Sequence, residues 1–320
     1  MSVEFDAVLA AAARIEGHVH RTPVLTCATL DRMAGASLFF KCENLQKVGA
    51  FKMRGAANAV LSLSPADAER GVATHSSGNH AQALACAARA RGIPATIVMP
   101  STAPEVKRAA VAGYGAAIVT CEPTLAAREA ALREVVARTG ATFIPPYDDD
   151  RIIAGQGTAA LELADQAPGL DWVLCPVGGG GLLAGTAIAA QALLPGVRVV
   201  GAEPEGADDT ARSLAGGRRV PAENPRSVCD GLLTSVGERN FVVIQRRVHA
   251  IWTVSDEAVV AAMRLLFERM KLVVEPSGAI GLAAALAHAG DLAGARVGII
   301  LSGGNVDLGR LPWPVAARES

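Results

Sequence analysis

Short apolar runs rich in β-branched residues alternate along the chain with runs rich in alanine and leucine. The strand candidates are continuously apolar rather than alternating, as in SLFFKCE, ATIVMP, AAIVTCE, DWVLCPV, VRVVGAE and RVGIILS. Strands of this kind are typically buried on both faces of a parallel sheet. The runs between them, such as HAQALACAARARG and LLAGTAIAAQALL, are typical of helices. The pattern therefore predicts an α/β fold with parallel sheets covered by helices on both faces.

The length of the chain favours more than one domain. At the usual size of a domain, 320 residues suggest about two. The Ser64-Pro65 turn and the Pro145-Pro146 pair enclose a segment with its own strand and helix candidates. We predict a small domain over residues 69–148 and a discontinuous large domain over residues 1–68 and 149–320.

The composition excludes several classes of protein. A chain that is 51% hydrophobic and 19% charged has a large buried core and is not disordered. Thirty basic residues against 31 acidic ones give a net charge of -1, so we expect no nucleic-acid partner. The six cysteines include no C-x-x-C pair, which favours reduced thiols, and the first residues lack the basic region of a signal peptide. We therefore predict a cytoplasmic protein.

One uncharged stretch, residues 172–197, is long enough to span a membrane. Four consecutive glycines and two prolines interrupt it. We interpret it as a buried strand, a loop and a buried helix, and we expect no membrane partner.

The loop formed by Gly178, Gly179, Gly180 and Gly181 follows a strand and precedes a helix. Glycines let backbone N–H groups approach an anion, and the helix adds the positive end of its dipole. The loop is therefore a candidate phosphate site, although it lacks the Lys-Ser/Thr of a nucleotide P-loop and a flexible turn has the same composition.

A nicotinamide cofactor is an alternative interpretation of the same loop. Gly179, Gly181 and Ala184 fit the loose G-x-G-x-x-G/A pattern, and Glu203 ends the next strand, where an acid would bind a ribose hydroxyl. The pattern alone is weak, and the other loops do not support it.

Three more loops carry candidate chemistry. Ser76, Ser77, Gly78, Asn79 and His80 gather hydroxyl, amide and helix N–H groups that suit a carboxylate or a phenolic oxygen, although Ser and Asn also serve as simple helix caps. Ser302-Gly303-Gly304-Asn305 allows close approach by a ligand. Lys52 opens a helix, where burial and the helix dipole would lower its pKa and allow it to form a Schiff base. A tolerated surface lysine is the other interpretation.

Taken together, these loops resemble the serine/threonine dehydratase and serine racemase family of fold type II pyridoxal phosphate (PLP) enzymes. The motifs that carry the resemblance cover most of the chain, from Arg21-Thr22-Pro23-Val24 through FKMRGA, SSGNH, GQGT and GGGG to SGGN. It implies a tryptophan synthase β-like architecture with the active site between two open parallel-sheet α/β domains.

The resemblance also implies roles for individual residues. Lys52 would hold PLP as the internal aldimine and act as the base at Cα, and the four glycines would bind the phosphate. Phe51 would pack near the ring, Asn79 would contact its phenolic oxygen, and Glu275 would lie near it. Ser302 would face the pyridine nitrogen, where a serine makes the ring a weaker electron sink than an aspartate does.

The implied reaction is α,β-elimination from a β-hydroxy-α-amino acid, namely L-serine, L-threonine or 3-hydroxyaspartate, to a 2-oxo acid and ammonia. The loop from Ser76 to His80 would hold the α-carboxylate. Ser77 matches the residue that reprotonates the opposite face in serine racemases, so racemisation is an alternative main or side activity.

Within this family, the chain most resembles the branch of serine racemases and 3-hydroxyaspartate dehydratases. It implies a Mg²⁺ or Ca²⁺ site at Glu203, Ala207 and Asp209, whose oxygens suit a hard cation, although a solvated acidic loop would have the same composition. It also implies that Arg128 approaches dicarboxylate ligands, although a surface charge is equally consistent with its position. Ala81 stands where many relatives have glycine. Because the sequence ends soon after SGGN, we expect no C-terminal regulatory domain of the kind found in biosynthetic threonine dehydratases. Relatives make a homodimer the expectation.

Overall fold

Two β-sheets organise residues 3–313, the part of the chain that the computed structural model describes. Their strands are β1 (Val24–Leu25), β2 (Ser37–Cys42), β3 (Val72–His75), β4 (Ala95–Pro100), β5 (Ala117–Cys121), β6 (Thr142–Phe143), β7 (Trp172–Pro176), β8 (Arg198–Pro204), β9 (Ala250–Val254) and β10 (Arg296–Leu301). The larger sheet has the order β1-β2-β10-β7-β8-β9, and the smaller one has the order β5-β4-β3-β6. All neighbouring strands are parallel except β1 and β2.

Helices cover both sheets, which confirms the predicted α/β class. They are α1 (Phe5–Ile15), α2 (Ala28–Ala34), α3 (Lys52–Leu61), α4 (Pro65–Arg70), α5 (Asn79–Arg91), α6 (Glu105–Gly113), α7 (Leu125–Thr139), α8 (Asp150–Gln166), α9 (Gly181–Leu193), α10 (Asp209–Gly216), α11 (Glu238–Arg247), α12 (Asp256–Leu265) and α13 (Pro276–Ala287). A π-helical turn, Leu266–Met270, continues α12.

The apolar runs predicted the strands closely. ATIVMP is β4 without change, and DWVLCPV and RVGIILS differ from β7 and β10 only at their ends. Strand β9 was not predicted, since it lies at the edge of the larger sheet and its residues are only partly buried. The smaller sheet runs from residue 72 to residue 143. The domain boundaries proposed from the sequence stay a prediction.

The uncharged stretch at residues 172–197 contains a strand, a glycine turn and a helix, β7 and α9, as predicted. Between residues 3 and 313, no helix has the length and apolar character needed to cross a membrane. The six cysteines are free thiols.

Three helices are in close contact because glycines face one another. A Cβ added at Gly155 of α8 would lie 2.6 Å from the Cα of Gly55 in α3. A Cβ added at Gly157 would lie 2.8 Å from the carbonyl oxygen of Gly185 in α9. The GQGT motif therefore lies within α8. Its glycines let α8 pack closely against α3 and α9, the helices that begin at Lys52 and Gly181.

A buried cluster of charges fixes the start of α3. The Arg54 guanidinium lies 2.7 Å from carboxylate oxygens of both Glu43 and Glu162, and Lys41 Nζ lies 2.6 Å from Glu162. Arg54, Lys41 and Glu43 are fully buried. Burial opposes the charge of Arg54, but the two carboxylates outweigh it and raise the pKa of the guanidinium. The cluster joins β2, α3 and α8 only two residues beyond Lys52.

Candidate active site

Lys52 lies at the first position of α3, in a turn that is paired with another loop. Val48 and Gly49 precede it with positive φ angles of 58° and 67°. The backbone N–H of Phe51 donates to the carbonyl of Ser302 at 3.0 Å, and Gly304 donates to Gly49 at 2.9 Å. Two of the four predicted loops are therefore joined through their backbones.

The Lys52 amine is surrounded by protein. Its Nζ donates a hydrogen bond of 2.7 Å to the carbonyl of Pro146 and lies 5.1 Å from the centre of the Phe51 ring. Burial lowers the pKa of the amine to about 8. Near neutral pH, a substantial fraction of this lysine is a neutral amine, the form that attacks a carbonyl carbon.

The glycine loop connects β7 to α9 and leaves no space for side chains on its outer face. An added Cβ would lie 2.8 Å from Leu232 Cα at Gly178, and 2.3 Å from the Tyr147 ring at Gly179. Gly180 has a φ of 88°, in the left-handed region that favours glycine. The first N–H groups of a helix have no partners within the helix, so those of α9 are available to an anion. The loop fits a phosphate group.

The loop from Ser76 to His80 follows β3 and leads into α5. The Asn79 side chain is held in a fixed orientation, because its Nδ2 donates to Glu275 at 2.8 Å and its Oδ1 accepts from Asn305 Nδ2 at 2.9 Å. His80 is buried, and its Nε2 lies 3.1 Å from the carbonyl oxygen of Ile144. Burial, followed by the charge of Lys52, lowers the pKa of His80 to about 3, so this imidazole is neutral.

The fourth loop carries Ser302, which is buried after the last residue of β10. Its Oγ lies 3.4 Å from the carbonyl oxygen of Ser277. Beside it, Glu275 precedes α13 and accepts hydrogen bonds from Asn79 and from the Asn305 backbone. Burial, followed by the nearby charge of Asp230, raises the pKa of Glu275 to about 7. These contacts join Asn79 and Glu275 to Asn305, which lies in the same loop as Ser302. The roles that the sequence gave to these residues stay predictions.

Arg128 lies in the first turn of α7 and is half-buried. Burial lowers the pKa of His75, the residue that precedes Ser76, and the positive charge of Arg128 is the second cause of this shift. The Arg128 Nε donates to the carbonyl of Thr124 at 3.4 Å, before the start of its own helix.

Glu203, Ala207 and Asp209 are buried together at the end of β8. The Glu203 oxygens accept from the N–H groups of Thr210 and Ala211 at 3.1 and 2.9 Å, and Asp209 Oδ2 accepts from Val236 at 2.9 Å. Asp209 Oδ1 is buried without a hydrogen-bond partner among residues 3–313. Burial raises the pKa of both carboxyl groups, that of Glu203 to about 8.

These donors fit a hard cation, because an unpartnered buried oxygen lies beside a second buried carboxylate. In the described part of the chain, no three His, Cys, Asp or Glu side chains form a cluster that could hold a metal ion. Two carboxylates alone would leave a cation to be coordinated by backbone or water oxygens as well. The burial of Glu203 beneath the start of α10 argues against the nicotinamide interpretation, in which this acid would reach a ribose.

Sequence reasoning missed several residues that complete the site. Asn305 was part of a quoted motif but received no role. Pro146, Tyr147, Asp148 and Asn240 gave no local signal, because each contacts a part of the site that is distant in the sequence.

Known proteins are similar to this chain in both sequence and structure. The family model described as "Pyridoxal-phosphate dependent enzyme" matches residues 15–303. The chain is 48% identical over 309 residues to the beta-hydroxyaspartate dehydratase of Paracoccus denitrificans, covering 97% of this chain and 98% of the relative. It is 48% identical over 313 residues to the L-threo-3-hydroxyaspartate ammonia-lyase of Saccharomyces cerevisiae, covering 98% and 96%. The solved structure of maize serine racemase superposes with a TM-score of 0.95 at 45% identity, covering 97% of this chain and 95% of that one.

Proposed function

Because the chain belongs to the family of pyridoxal-phosphate dependent enzymes, we propose that it is an ammonia-lyase that converts 3-hydroxyaspartate to a 2-oxo acid and ammonia. One observation carries the proposal. Two adjacent residues, Pro146 and Tyr147, contact the Lys52 amine and Gly179 respectively, so a reactive amine and a phosphate-binding loop are neighbours. That is the pair of sites that PLP requires.

Each part of the cofactor has a candidate partner in this chain. Lys52 would bind the aldehyde carbon, the loop from Gly178 to Gly181 the phosphate, and Asn79 the phenolic oxygen. Phe51 would lie against the ring, Ser302 would face its nitrogen, and Glu275 would hold Asn79 in place through the hydrogen bond at 2.8 Å. A serine at the ring nitrogen does not hold a proton there as an aspartate would, which favours rapid loss of a leaving group.

Bound PLP supplies an electron sink that acidifies the Cα–H bond of the amino acid attached to it. The chain supplies the rest of the chemistry. The Lys52 amine would remove the Cα proton, and its pKa of about 8 suits a base near neutral pH. N–H groups and hydroxyls from Ser76 to His80 would bind the α-carboxylate and fix the Cα–H bond relative to Nζ. The Cβ–O bond would break as the hydroxyl takes up a proton and leaves as water, and addition of one water to the released enamine, by way of its imine, would give the 2-oxo acid and ammonia.

Arg128 supports a dicarboxylate as substrate. It is a half-buried cation whose charge acts on His75, the residue before the loop that would hold the α-carboxylate. A guanidinium there would bind the second carboxylate of 3-hydroxyaspartate, which serine and threonine lack. Two relatives named for hydroxyaspartate support the same substrate.

Serine racemisation is the second candidate activity. Ser77 lies in the loop before α5, where its hydroxyl could deliver a proton to the face of Cα opposite Lys52. The similarity to maize serine racemase supports this activity beside elimination.

We propose that Glu203, Ala207 and Asp209 bind Mg²⁺ or Ca²⁺. The support is the buried, unpartnered Oδ1 of Asp209 and the buried carboxylate of Glu203 beside it. We also propose a homodimer, the state that the resemblance to serine racemases and dehydratases implies. Light scattering coupled to gel filtration tests the dimer.

A panel of substrates tests the function. The purified protein loaded with PLP is given L-serine, L-threonine and the stereoisomers of 3-hydroxyaspartate, each with Mg²⁺, and release of 2-oxo acid is measured. We expect the highest kcat/KM with one hydroxyaspartate stereoisomer. A higher kcat/KM with serine or threonine would contradict the dicarboxylate assignment, and the absence of turnover with all of them would contradict the ammonia-lyase.

A further inference from the structure

The segment from Ile144 to Asp148 connects the smaller sheet to α8 and contacts four parts of the site in order. The Ile144 carbonyl contacts His80, and the Pro146 carbonyl accepts from Lys52. Tyr147 covers the glycine loop, and Asp148 binds the start of α11. One short stretch of chain thus contacts both the lysine and the glycine loop.

Tyr147 lies flat against the glycine loop. A Cβ at Gly179 would lie 2.3 Å from both Cγ and Cδ1 of the ring, and 2.6 Å from Cδ2. A Cβ at Gly181 would lie 2.9 Å from the Tyr147 carbonyl oxygen. The ring and backbone of this residue therefore occupy the space behind the loop and limit its movement away from a bound phosphate.

Asp148 fixes the position of Tyr147 from the other side. Its carboxylate accepts hydrogen bonds from the backbone N–H groups of Glu238, Arg239 and Asn240 at 3.1, 3.0 and 3.3 Å. These are the first residues of α11, whose own N-cap, Gly237, has no side chain to do this. An anion at this position caps the helix and interacts favourably with its dipole.

Asn240 completes the connection to the glycine loop. It is fully buried, and its Nδ2 donates to the carbonyl of Gly179 at 2.6 Å and approaches the carbonyl of Tyr147 at 3.3 Å. The N–H of Gly237 also donates to the Gly179 carbonyl, at 3.1 Å. With that carbonyl held by two donors, the peptide between Gly179 and Gly180 has a fixed orientation, and so has its N–H group.

We propose that Tyr147 and Asp148 are positioning residues that hold the glycine loop in the conformation that binds the phosphate of PLP. The inference rests on the proposed function, since it takes the loop to be the phosphate site. Neither residue acts as an acid or base in the reaction. Their effect is on the affinity and environment of the phosphate, through the Gly179 peptide.

The test compares two aspartates, close in the sequence, that both contact α11. Asp148→Ala removes the half-buried cap of that helix, whereas Asp150→Ala removes an exposed ion pair with Arg239, whose side chain is 58% exposed. PLP affinity is measured by titrating cofactor-free protein and following the visible absorbance that forms on Lys52. We expect a Kd about tenfold higher for Asp148→Ala and a change of less than about twofold for Asp150→Ala. The phosphorus NMR shift of bound PLP is expected to move only in the former.

A double-mutant cycle tests the contact between Tyr147 and Gly179. Gly179→Ala places a methyl group into the ring and is expected to raise the PLP Kd about a hundredfold. Tyr147→Ala alone raises it about tenfold, and adding it to Gly179→Ala is expected to restore part of the lost affinity, because the clash is gone. Tyr147→Phe keeps the ring and is expected to restore the affinity lost in Tyr147→Ala.

The outcomes separate the two proposals. If wild-type protein binds PLP and Gly179→Ala weakens it, but Asp148→Ala and Tyr147→Ala do not, the positioning role is wrong and the phosphate site stands. If Gly179→Ala has no effect on PLP binding, the phosphate site itself is wrong. Circular dichroism melting of each variant shows whether it is folded. Equal losses in Asp148→Ala and Asp150→Ala would also overturn the positioning role.

Discussion

Lys52 and Pro146 are 94 residues apart in the sequence and are joined by a hydrogen bond of 2.7 Å from Nζ to the carbonyl oxygen. The bond fixes the amine at the junction of the two sheets. The Pro146 carbonyl also gives the amine a hydrogen-bond acceptor, which an amine removed from water needs in either protonation state. The position of the lysine is thus set by a contact with a distant part of the chain.

The low pKa of Lys52 predicts how attachment of PLP depends on pH. Attack on the aldehyde requires the neutral amine, so the rate constant should rise with pH up to about 8 and then level off. For a lysine with the ordinary pKa of about 10.4, the rate constant would continue to rise with pH up to that value. Stopped-flow absorbance after mixing cofactor-free protein with PLP measures the rate. An ordinary lysine gives a rise of about sevenfold between pH 9 and pH 10, so a rise of severalfold in that range would contradict the shift, and Lys52→Ala provides the blank.

Arg128 is expected to distinguish dicarboxylate substrates from serine. Arg128→Met should raise KM for 3-hydroxyaspartate about a hundredfold through loss of a charge-assisted pair, and should change KM for serine by less than about threefold. Arg133→Met, on the same helix but 72% exposed beside Glu129, is the matched control. Equal effects on both substrates would assign Arg128 to the surface.

Ser77 is expected to separate racemisation from elimination. Ser77→Ala removes the proposed acid, so conversion of L-serine to D-serine should fall by about a hundredfold or more. Elimination needs no acid on that face. Its rate should fall by less than about tenfold, because only the binding of the α-carboxylate is weakened. Chiral chromatography and an oxo-acid assay on the same samples measure both. Retained racemisation would show that another group reprotonates Cα.

The cation proposal predicts a change in thermal stability. Mg²⁺ or Ca²⁺ binds only the folded site, so a saturating concentration should raise the Tm of wild-type protein by about 5 °C. In Asp209→Asn the increase should be absent. Asp208→Asn is the control, because Asp208 is its neighbour and forms an exposed pair with Arg212. An EDTA-treated wild type whose Tm does not respond to either cation would exclude the site.

Arg54 is expected to be a major source of stability. Arg54→Met leaves Glu43 buried without its partner, so the free energy of unfolding should fall by about 3–5 kcal/mol. Arg264→Met breaks only an exposed i,i+4 pair with Glu268 and should cost less than about 1 kcal/mol. Urea unfolding followed by circular dichroism measures both. A loss below about 1 kcal/mol for Arg54→Met would show that the cluster relaxes around the missing charge.

The sequence predicted the elements that have a local signal. Four consecutive glycines between a buried strand and a helix are visible in one short window, and the glycine turn before α9 lies there. The GQGT motif was harder, since Gly155 and Gly157 look like loop residues until the helices they touch, α3 and α9, are known. Helix packing across 100 residues of sequence leaves no mark on the local pattern.

The supporting contacts could not be predicted for the same reason. Asp148 has the composition of an ordinary turn residue, and only the fold shows that it binds the start of α11, 90 residues later. Asn305 looked like part of a glycine-rich loop, and only the structure shows its contacts with Asn79 and Val48. A resemblance to known enzymes identified the reactive residues, whereas the residues that orient them follow from tertiary structure.

The glycine contacts of α8 have a consequence for how new specificities can arise on this scaffold. They set the spacing between the helix that begins at Lys52 and the helix that begins at Gly181 by backbone packing alone. The groups proposed to bind the substrate adjoin the smaller sheet; they are residues 76–80 and Arg128. Substitutions at Ser77 or Arg128 can therefore alter substrate choice without changing the distance between these two helices. A dehydratase and a racemase can share the same helix spacing and differ in the groups that surround the substrate.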